Sequence, residues 1–271
     1  GLGNVLTERT AKTLSYMTYE NMRSYAEMES FIEESISEAV YMDVDVTAKF
    51  LFNRAHNVND GVARKEENIE KLVSTAYHEA GHAVLQRYFG RKNEYVTIVS
   101  RGNYGGYAMA DSKLYTEQDF LNQICISFAG RVAEMMCQRD FSESKIKNGI
   151  NIGANADLQT ASQMAYEYVC RYGFGENLLV VPKRFARQNG GYPEDVLSER
   201  DKEIIWERVR QVLNKQWEIT RELLQEEWNS LNALAISLVI MKELDGEKVE
   251  TIISSGEPYV EESCFINENR D

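Results

Sequence analysis

Positive charge and long apolar runs are both scarce in this sequence, and each scarcity excludes a class of partner. The 271 residues contain 30 Lys and Arg against 43 Asp and Glu, which gives a net charge of −13. Proteins bind nucleic acid and anionic membrane surfaces through concentrated positive charge, so we expect neither as a partner. The longest strongly apolar run, near residues 231–241, is far shorter than the roughly 20 residues that cross a bilayer.

Cysteine and proline are sparse as well. The 4 cysteines form no CxxC pair and no dense framework, a pattern typical of reduced thiols in a cytosolic protein. Three of them fall on predicted helices, where we expect buried positions. The first residues show no signal-peptide pattern, so we predict a cytoplasmic location for this chain. Only 3 prolines interrupt the sequence, which favours long helices.

The pattern of apolar residues predicts a mainly α fold with a small β-sheet, an α+β architecture. Helical spacing predicts helices over residues 20–41, 46–58, 65–89, 116–138, 155–175 and 198–229, with shorter ones near 230–243 and 246–254. Two strands are predicted at 94–100 and 104–111. The turn-forming stretch at 57–61 is the best linker candidate. We therefore predict a helical N-terminal segment at 1–65, a main domain at 66–257 and a tail at 258–271.

Two of the 3 histidines lie four residues apart in the segment TAYHEAGHAV, residues 75–84. In a chain of this composition, H-E-x-x-H is expected by chance about 0.004 times, so coincidence is a poor explanation. On a helix, His78 and His82 project from one face and can reach one metal ion. Zinc lowers the pKa of water to about 7, and the neighbouring Glu79 can then take its proton. The motif predicts a hydrolytic zinc site with Glu79 as general base.

The motif leaves open which residue is the third ligand that a hydrolytic zinc site needs. The remaining histidine, His56, lies in the linker region, and we do not expect it to be a ligand. Two downstream carboxylates are candidates. Glu134 sits among apolar neighbours and must be paired if it is buried. Asp157 begins a predicted helix, where it could equally be a capping residue, so local chemistry does not separate the two.

Glycine inside the predicted metal-binding helix also needs an explanation. Gly81 lies between the two histidines, and a glycine there costs roughly 0.8–1 kcal/mol relative to alanine. Close packing of another backbone would account for it, because the missing Cβ leaves room.

Five segments resemble, in their order and spacing, the peptidase domain of FtsH-type ATP-dependent zinc proteases. These are TAYHEAGHAV, VTIVSRGNYGGYAMA, FAGRVAE, GANADLQTASQMA and YGFG, and the resemblance covers about residues 70–255. It implies that Zn²⁺ is the cofactor and that Asp157 is the third ligand beside His78 and His82. The family's Gly-Gly-Arg turn is here Ala129-Gly130-Arg131. The resemblance also implies that unfolded substrate pairs with an exposed strand, which corresponds to Gly105, Gly106, Tyr107, Ala108 and Met109.

The resemblance further implies an endopeptidase for unfolded or loosely folded polypeptides, assembled as a homo-hexamer and served by an AAA+ ATPase. A membrane anchor upstream in a longer protein would place the chain at the cytoplasmic face of a membrane. The sequence itself contains no G-x-x-x-x-G-K-[ST] phosphate-binding loop. Two other functions stay open: a substrate-binding or assembly module in which zinc is structural, and a zinc hydrolase for small substrates.

Overall fold

The structure is a computed structural model that describes residues 25–47, 50–51, 54–55, 68–100, 105–110, 116–140, 153–174 and 197–259. Its elements, in chain order, are α1 (Tyr25–Met42), α2 (Ile69–Tyr88), β1 (Asn93–Thr97), β2 (Tyr107–Ala110), α3 (Glu117–Asp140), α4 (Asn155–Cys170), α5 (Glu199–Glu226), α6 (Trp228–Met241), β3 (Glu243–Asp245) and α7 (Gly246–Ser255). The predicted fold class, mainly α with a small sheet, is confirmed.

The chain divides into two compact units. The first comprises residues 1–67 and 99–107, and the second comprises residues 68–98 and 108–271. In the first unit, α1 buries Phe31, Ser35 and Ala39, which recur every four residues and so share one face of the helix. Arg54 pairs with two carboxylates on another part of α1, those of Glu34 at 3.3 Å and Glu38.

The second unit is organised around α2, whose middle carries the H-E-x-x-H motif. Residues 76–86 of α2 are all buried, because the helix packs against α3 on one side and α6 on another. The helix begins where the Asn68 side chain accepts a hydrogen bond from the Lys71 N–H. It ends at Tyr88, and Gly90 follows with a φ of 75°, a conformation that glycine reaches without strain. The predicted C-terminal end of this helix, at residue 89, is confirmed to within one residue.

A three-stranded sheet in the order β2-β1-β3 lies beside this helix core. β1 runs antiparallel to β3, with Tyr95 opposite Asp245 and Thr97 opposite Glu243. Every residue of β1 is buried, whereas β2 is half-buried throughout. The strand β3 was not predicted, since its three residues between two helices are too few to show an alternating pattern.

The described cysteines, Cys125, Cys137 and Cys170, are buried thiols, as predicted. Burial raises the pKa of the Cys125 thiol to about 11, although a hydrogen bond with Thr220 opposes the shift. Cys125 is therefore a neutral packing group at physiological pH.

Several predictions fall outside the described residues: the linker at 57–61, His56, Cys264 and the tail beyond residue 259. Across the residues that the structure does describe, no helix combines the length and the apolar character needed to cross a bilayer.

Candidate metal centre

The two histidines of α2 meet at their outer ring nitrogens. Both residues are buried, and the Nε2 atoms of His78 and His82 lie 3.1 Å apart. On the other side of each ring, Nδ1 faces an acceptor. The Nδ1 of His78 lies 2.9 Å from the Glu134 carboxylate, and the Nδ1 of His82 lies 2.8 Å from the carbonyl oxygen of Ile126. Because each Nδ1–H donates to such an acceptor, the Nε2 of each neutral ring has a lone pair available to a metal.

Asp157 brings the third ligand atom from the first turn of α4. Its Oδ2 lies 3.1 Å from the Nε2 of His78 and 3.6 Å from the Nε2 of His82. The alternative interpretation of Asp157 was a helix cap, but its carboxylate contacts the two histidines. The structure therefore brings together the three residues that the family resemblance had indicated as ligands.

The spacing of these three atoms suits one zinc ion. Zinc bound tetrahedrally at about 2.0–2.1 Å places neighbouring ligand atoms about 3.3 Å apart, and the three observed distances are 3.1, 3.1 and 3.6 Å. Two imidazole nitrogens and one carboxylate oxygen are a donor set that zinc accepts, and three protein ligands leave the fourth position open, as in catalytic sites. The residues present thus fit the metal that the motif predicts.

Protons and a metal compete for this site. Burial lowers the pKa of His78, but hydrogen bonds with Asp157 and Glu134 outweigh it and raise the pKa to about 10. For Asp157 the balance is similar: burial raises the pKa of its carboxyl group, but the hydrogen bonds from both histidines outweigh burial and hold that pKa well below its usual range. Without a metal, His78 is therefore protonated and Asp157 is ionised. A bound metal must displace that proton, so binding releases protons.

Glu79 is the buried carboxylate beside the cluster. Glu79 is only 5% exposed. Burial raises the pKa of its carboxyl group to about 6, although the charges of His78 and His82 oppose that shift. A proton acceptor works best when its pKa is near the working pH. Burial therefore moves Glu79 towards the basicity that a general base needs.

Helix α3 supports His78 from the side opposite Asp157. Glu134, the other candidate ligand, contacts Nδ1 of His78 with Oε1, and its Oε2 lies 3.3 Å from the Arg131 guanidinium. Both Glu134 and Arg131 are buried. Glu134 thus orients the ring from the outside, a role that partners of metal-binding histidines commonly have. Arg131 was not predicted as a functional residue, although its spacing of three residues from Glu134 was visible in the sequence.

Two glycines let α2 and α3 approach this closely. A Cβ on Gly81 would lie 2.7 Å from the carbonyl oxygen of Ala129, which confirms the predicted close backbone approach. A Cβ on Gly130 would lie 2.5 Å from Cε1 of His78 and 2.6 Å from both ring nitrogens. Gly130 therefore leaves the space that the His78 ring occupies. It lies within helix α3 and not in the turn that the family resemblance implied.

The predicted substrate strand corresponds to β2. Gly105 and Gly106 precede it, and Tyr107, Ala108 and Met109 lie within it. In the described sheet, β2 is an edge strand whose neighbour is β1. The Ala108 carbonyl accepts a hydrogen bond from the Gln86 side chain on α2, with Nε2 and O 3.4 Å apart.

The sequence profile of peptidase family M41 matches residues 68–252, a range that contains His78, His82 and Asp157. The chain belongs to peptidase family M41. This M41 chain is similar to the ATP-dependent zinc metalloprotease FtsH of Oenococcus oeni, at 27% identity over 86% of this chain and 33% of that protein. It is also similar to FtsH 1 of Thermomicrobium roseum, at 29% identity over 88% of the chain and 37% of that protein.

A mammalian relative extends the comparison. A component of the mouse mitochondrial inner membrane m-AAA protease is 28% identical over 86% of the M41 chain and 29% of the mouse protein. The chain spans about a third of the length of the curated relatives it matches. The resemblance to the FtsH-type peptidase domain is thus confirmed.

Proposed function

We propose that this chain is a zinc-dependent endopeptidase that hydrolyses peptide bonds of unfolded or loosely folded polypeptides. One observation carries the proposal: His78, His82 and Asp157 converge at distances that one zinc ion fits, with the buried Glu79 next to them in the sequence. The two bacterial relatives described above are zinc metalloproteases by name, which supports the same chemistry.

In this mechanism the protein provides the ligands, the base and the orientation of the ligands. Zinc, when bound by His78, His82 and Asp157, supplies a Lewis acid that polarises the peptide carbonyl and acidifies the attacking water. The Glu79 carboxylate takes a proton from that water and then donates it to the leaving amine. Burial raises the pKa of the Glu79 carboxylate above its usual range, which makes it a better proton acceptor during the attack.

The substrate chain, in this proposal, pairs with the edge strand β2. Backbone hydrogen bonds along an edge strand make few demands on side-chain identity, which suits a protease for many unfolded sequences. The segment comprises Gly105, Gly106, Tyr107, Ala108 and Met109, and its two glycines leave room for a second backbone to approach. A Cβ on Gly105 would have no neighbour within 4 Å.

The proposal includes the partners that the family resemblance implied. An AAA+ ATPase, in a longer protein or as a separate subunit, would unfold substrates, and a homo-hexameric ring would enclose the peptidase sites. The location would be cytoplasmic, or the cytoplasmic face of a membrane if an anchor precedes this sequence.

Glu79→Gln is the direct test, because glutamine keeps the shape of the side chain and loses its basicity. We expect zinc to bind as in the parent and casein hydrolysis to fall by about 10²–10⁴-fold, the usual contribution of a general base. Hydrolysis at the parental rate, with zinc bound in both proteins, would contradict the mechanism. Zinc bound in the parent without hydrolysis of casein or short peptides would instead favour the alternative, a binding module with structural zinc.

A further inference from the structure

Gln86 continues the face of α2 that carries the two histidines. It follows His82 by four residues and His78 by eight, so successive side chains of this row lie roughly 6 Å apart along the helix. All three are buried, and Gln86 is only 8% exposed. An amide at this depth, directly after the buried Val84 and Leu85, needs an explanation.

The contacts of Gln86 connect the metal-binding helix to the edge strand. Its Nε2–H donates to the carbonyl oxygen of Ala108 in β2, at 3.4 Å. One face of one helix therefore holds two metal ligands at one end and a main-chain group of β2 at the other. This juxtaposition sets where β2 lies along α2 relative to His82.

Stability alone does not explain the amide. The Oε1 of Gln86 is buried and accepts no hydrogen bond among the described residues. Burying an acceptor without a donor costs about 1–3 kcal/mol, whereas an apolar side chain of similar shape avoids that cost. Methionine has a similar length and would be at least as stable here.

We propose that Gln86 is a positioning residue for the substrate. By holding the Ala108 carbonyl, it fixes β2 in one register relative to His78 and His82. Any polypeptide paired to β2 is then held in the same register. Loss of the amide hydrogen bond lets the strand shift, which weakens substrate binding and spreads cleavage over more bonds. This inference rests on the proposed function, because it requires β2 to bind the substrate.

The chain offers a matched control in Asn93. Its Nδ2–H donates to the carbonyl oxygen of Ala83 on the same helix, at 3.0 Å, and its Oδ1 also accepts no hydrogen bond among the described residues. Asn93 begins β1, so this amide ties α2 to β1 and not to β2. Asn93→Leu therefore removes a similar buried amide from the same helix without touching β2.

The experiment compares Gln86→Met with Asn93→Leu in the full chain, using casein as substrate and mass spectrometry to map the cleaved bonds. For Gln86→Met we expect KM to rise about two- to tenfold, the value of one hydrogen bond. We also expect new cleavage sites, a kcat near that of the parent, and unchanged zinc content and unfolding temperature. Asn93→Leu should keep the parental KM and cleavage sites. A parental KM and cleavage pattern for Gln86→Met, or an equal rise in KM for Asn93→Leu, would overturn the proposal.

A binding measurement separates this inference from the proposed function. Fluorescein-labelled casein is titrated with Glu79→Gln and with the double variant Glu79→Gln, Gln86→Met, and anisotropy gives Kd. A higher Kd for the double variant, which means weaker binding, supports the positioning role even if the parent hydrolyses nothing. Equal Kd values contradict it, whatever the activity of the parent.

Discussion

At the scale of single residues, the His78 imidazole is enclosed by groups that leave it one orientation. The carboxylate of Asp157 faces Nε2, the carboxylate of Glu134 faces Nδ1, and the backbone at Gly130 lies against the ring. A metal ligand fixed in this way loses little conformational freedom when it binds the metal. Residues that never touch the metal should therefore affect its affinity.

Gly130→Ala tests the steric part of this enclosure. The new Cβ would lie 2.5 Å from the His78 ring, so the ring must move. We expect a loss of about 1–3 kcal/mol in the free energy of unfolding and about tenfold or more in zinc affinity, measured by urea denaturation and by competition with a chelator.

A suitable control for Gly130→Ala is Gly256→Ala. Gly256 caps α7 with a φ of 68°, so alanine there costs about 1 kcal/mol through backbone strain. It leaves the metal ligands untouched, and zinc affinity should match that of the parent. Parental zinc affinity in Gly130→Ala would show that the close contact does not matter for the metal.

Glu134→Gln tests the electrostatic contribution to the enclosure of the His78 ring. Glutamine can still accept the hydrogen bond from Nδ1 of His78, but it removes the negative charge and leaves the buried Arg131 without the carboxylate 3.3 Å away. We expect zinc affinity to fall about 10- to 100-fold, as for other partners of metal-binding histidines. A zinc titration against a fluorescent chelator measures this directly, and an unchanged affinity would argue against a role for Glu134.

The sequence predicted part of this site and not the rest, for a physical reason. The spacing of His78 and His82 is local, because a helix converts four residues into one turn. The choice between Glu134 and Asp157 depends on where α3 and α4 pack, 56 and 79 residues from His78 in sequence. Local chemistry carries no information on such packing, so only the family resemblance pointed to Asp157. The contact between Gly130 and the His78 ring depends on the same packing, so the sequence did not predict it.

At the scale of elements, helices were predicted more completely than strands. The sequence predicted the main helices of the second unit because burial on one face repeats every 3.6 residues, and because Ser198 and Gly90 mark helix ends chemically. The strand β3 has only three residues, and pairing with β1 makes it a strand. Long-range pairing of this kind leaves too little local pattern to detect.

Proline substitutions along β2 test whether its free edge binds substrate. Backbone N–H groups of successive strand residues point alternately to the two sides. Proline removes the backbone N–H of the residue it replaces. In β2 the N–H groups of Tyr107 and Met109 point to one side and those of Ala108 and Ala110 to the other. Proline in the pair that faces β1 should break hydrogen bonds of the sheet and lower stability. Proline in the other pair should weaken casein binding while the unfolding temperature stays within a few degrees of the parental value.

Binding by anisotropy and thermal unfolding, measured on all four proline variants, distinguish the two sets. If no position in β2 weakens casein binding while stability is retained, the edge strand is not the substrate site.

At the scale of the whole molecule, the chain spans about a third of the length of its relatives. Its sequence contains no phosphate-binding loop of the P-loop type. Unfolding a stable protein needs energy that peptide hydrolysis at this site does not deliver. We therefore expect the chain alone to degrade casein and to leave a stably folded protein intact, with or without ATP. A gel-based time course on both substrates measures this, and efficient degradation of the folded protein would contradict the expectation.

The most direct measurement of the central claim is a zinc titration of the chelator-treated protein, followed by casein hydrolysis at each addition. If His78, His82 and Asp157 form one catalytic site, activity is absent at the start, rises in proportion to added zinc and stops rising at about one zinc per chain. The variant Asp157→Asn should need far more zinc to reach the same activity. Full activity in the zinc-free protein, or an Asp157→Asn titration identical to that of the parent, would contradict the account.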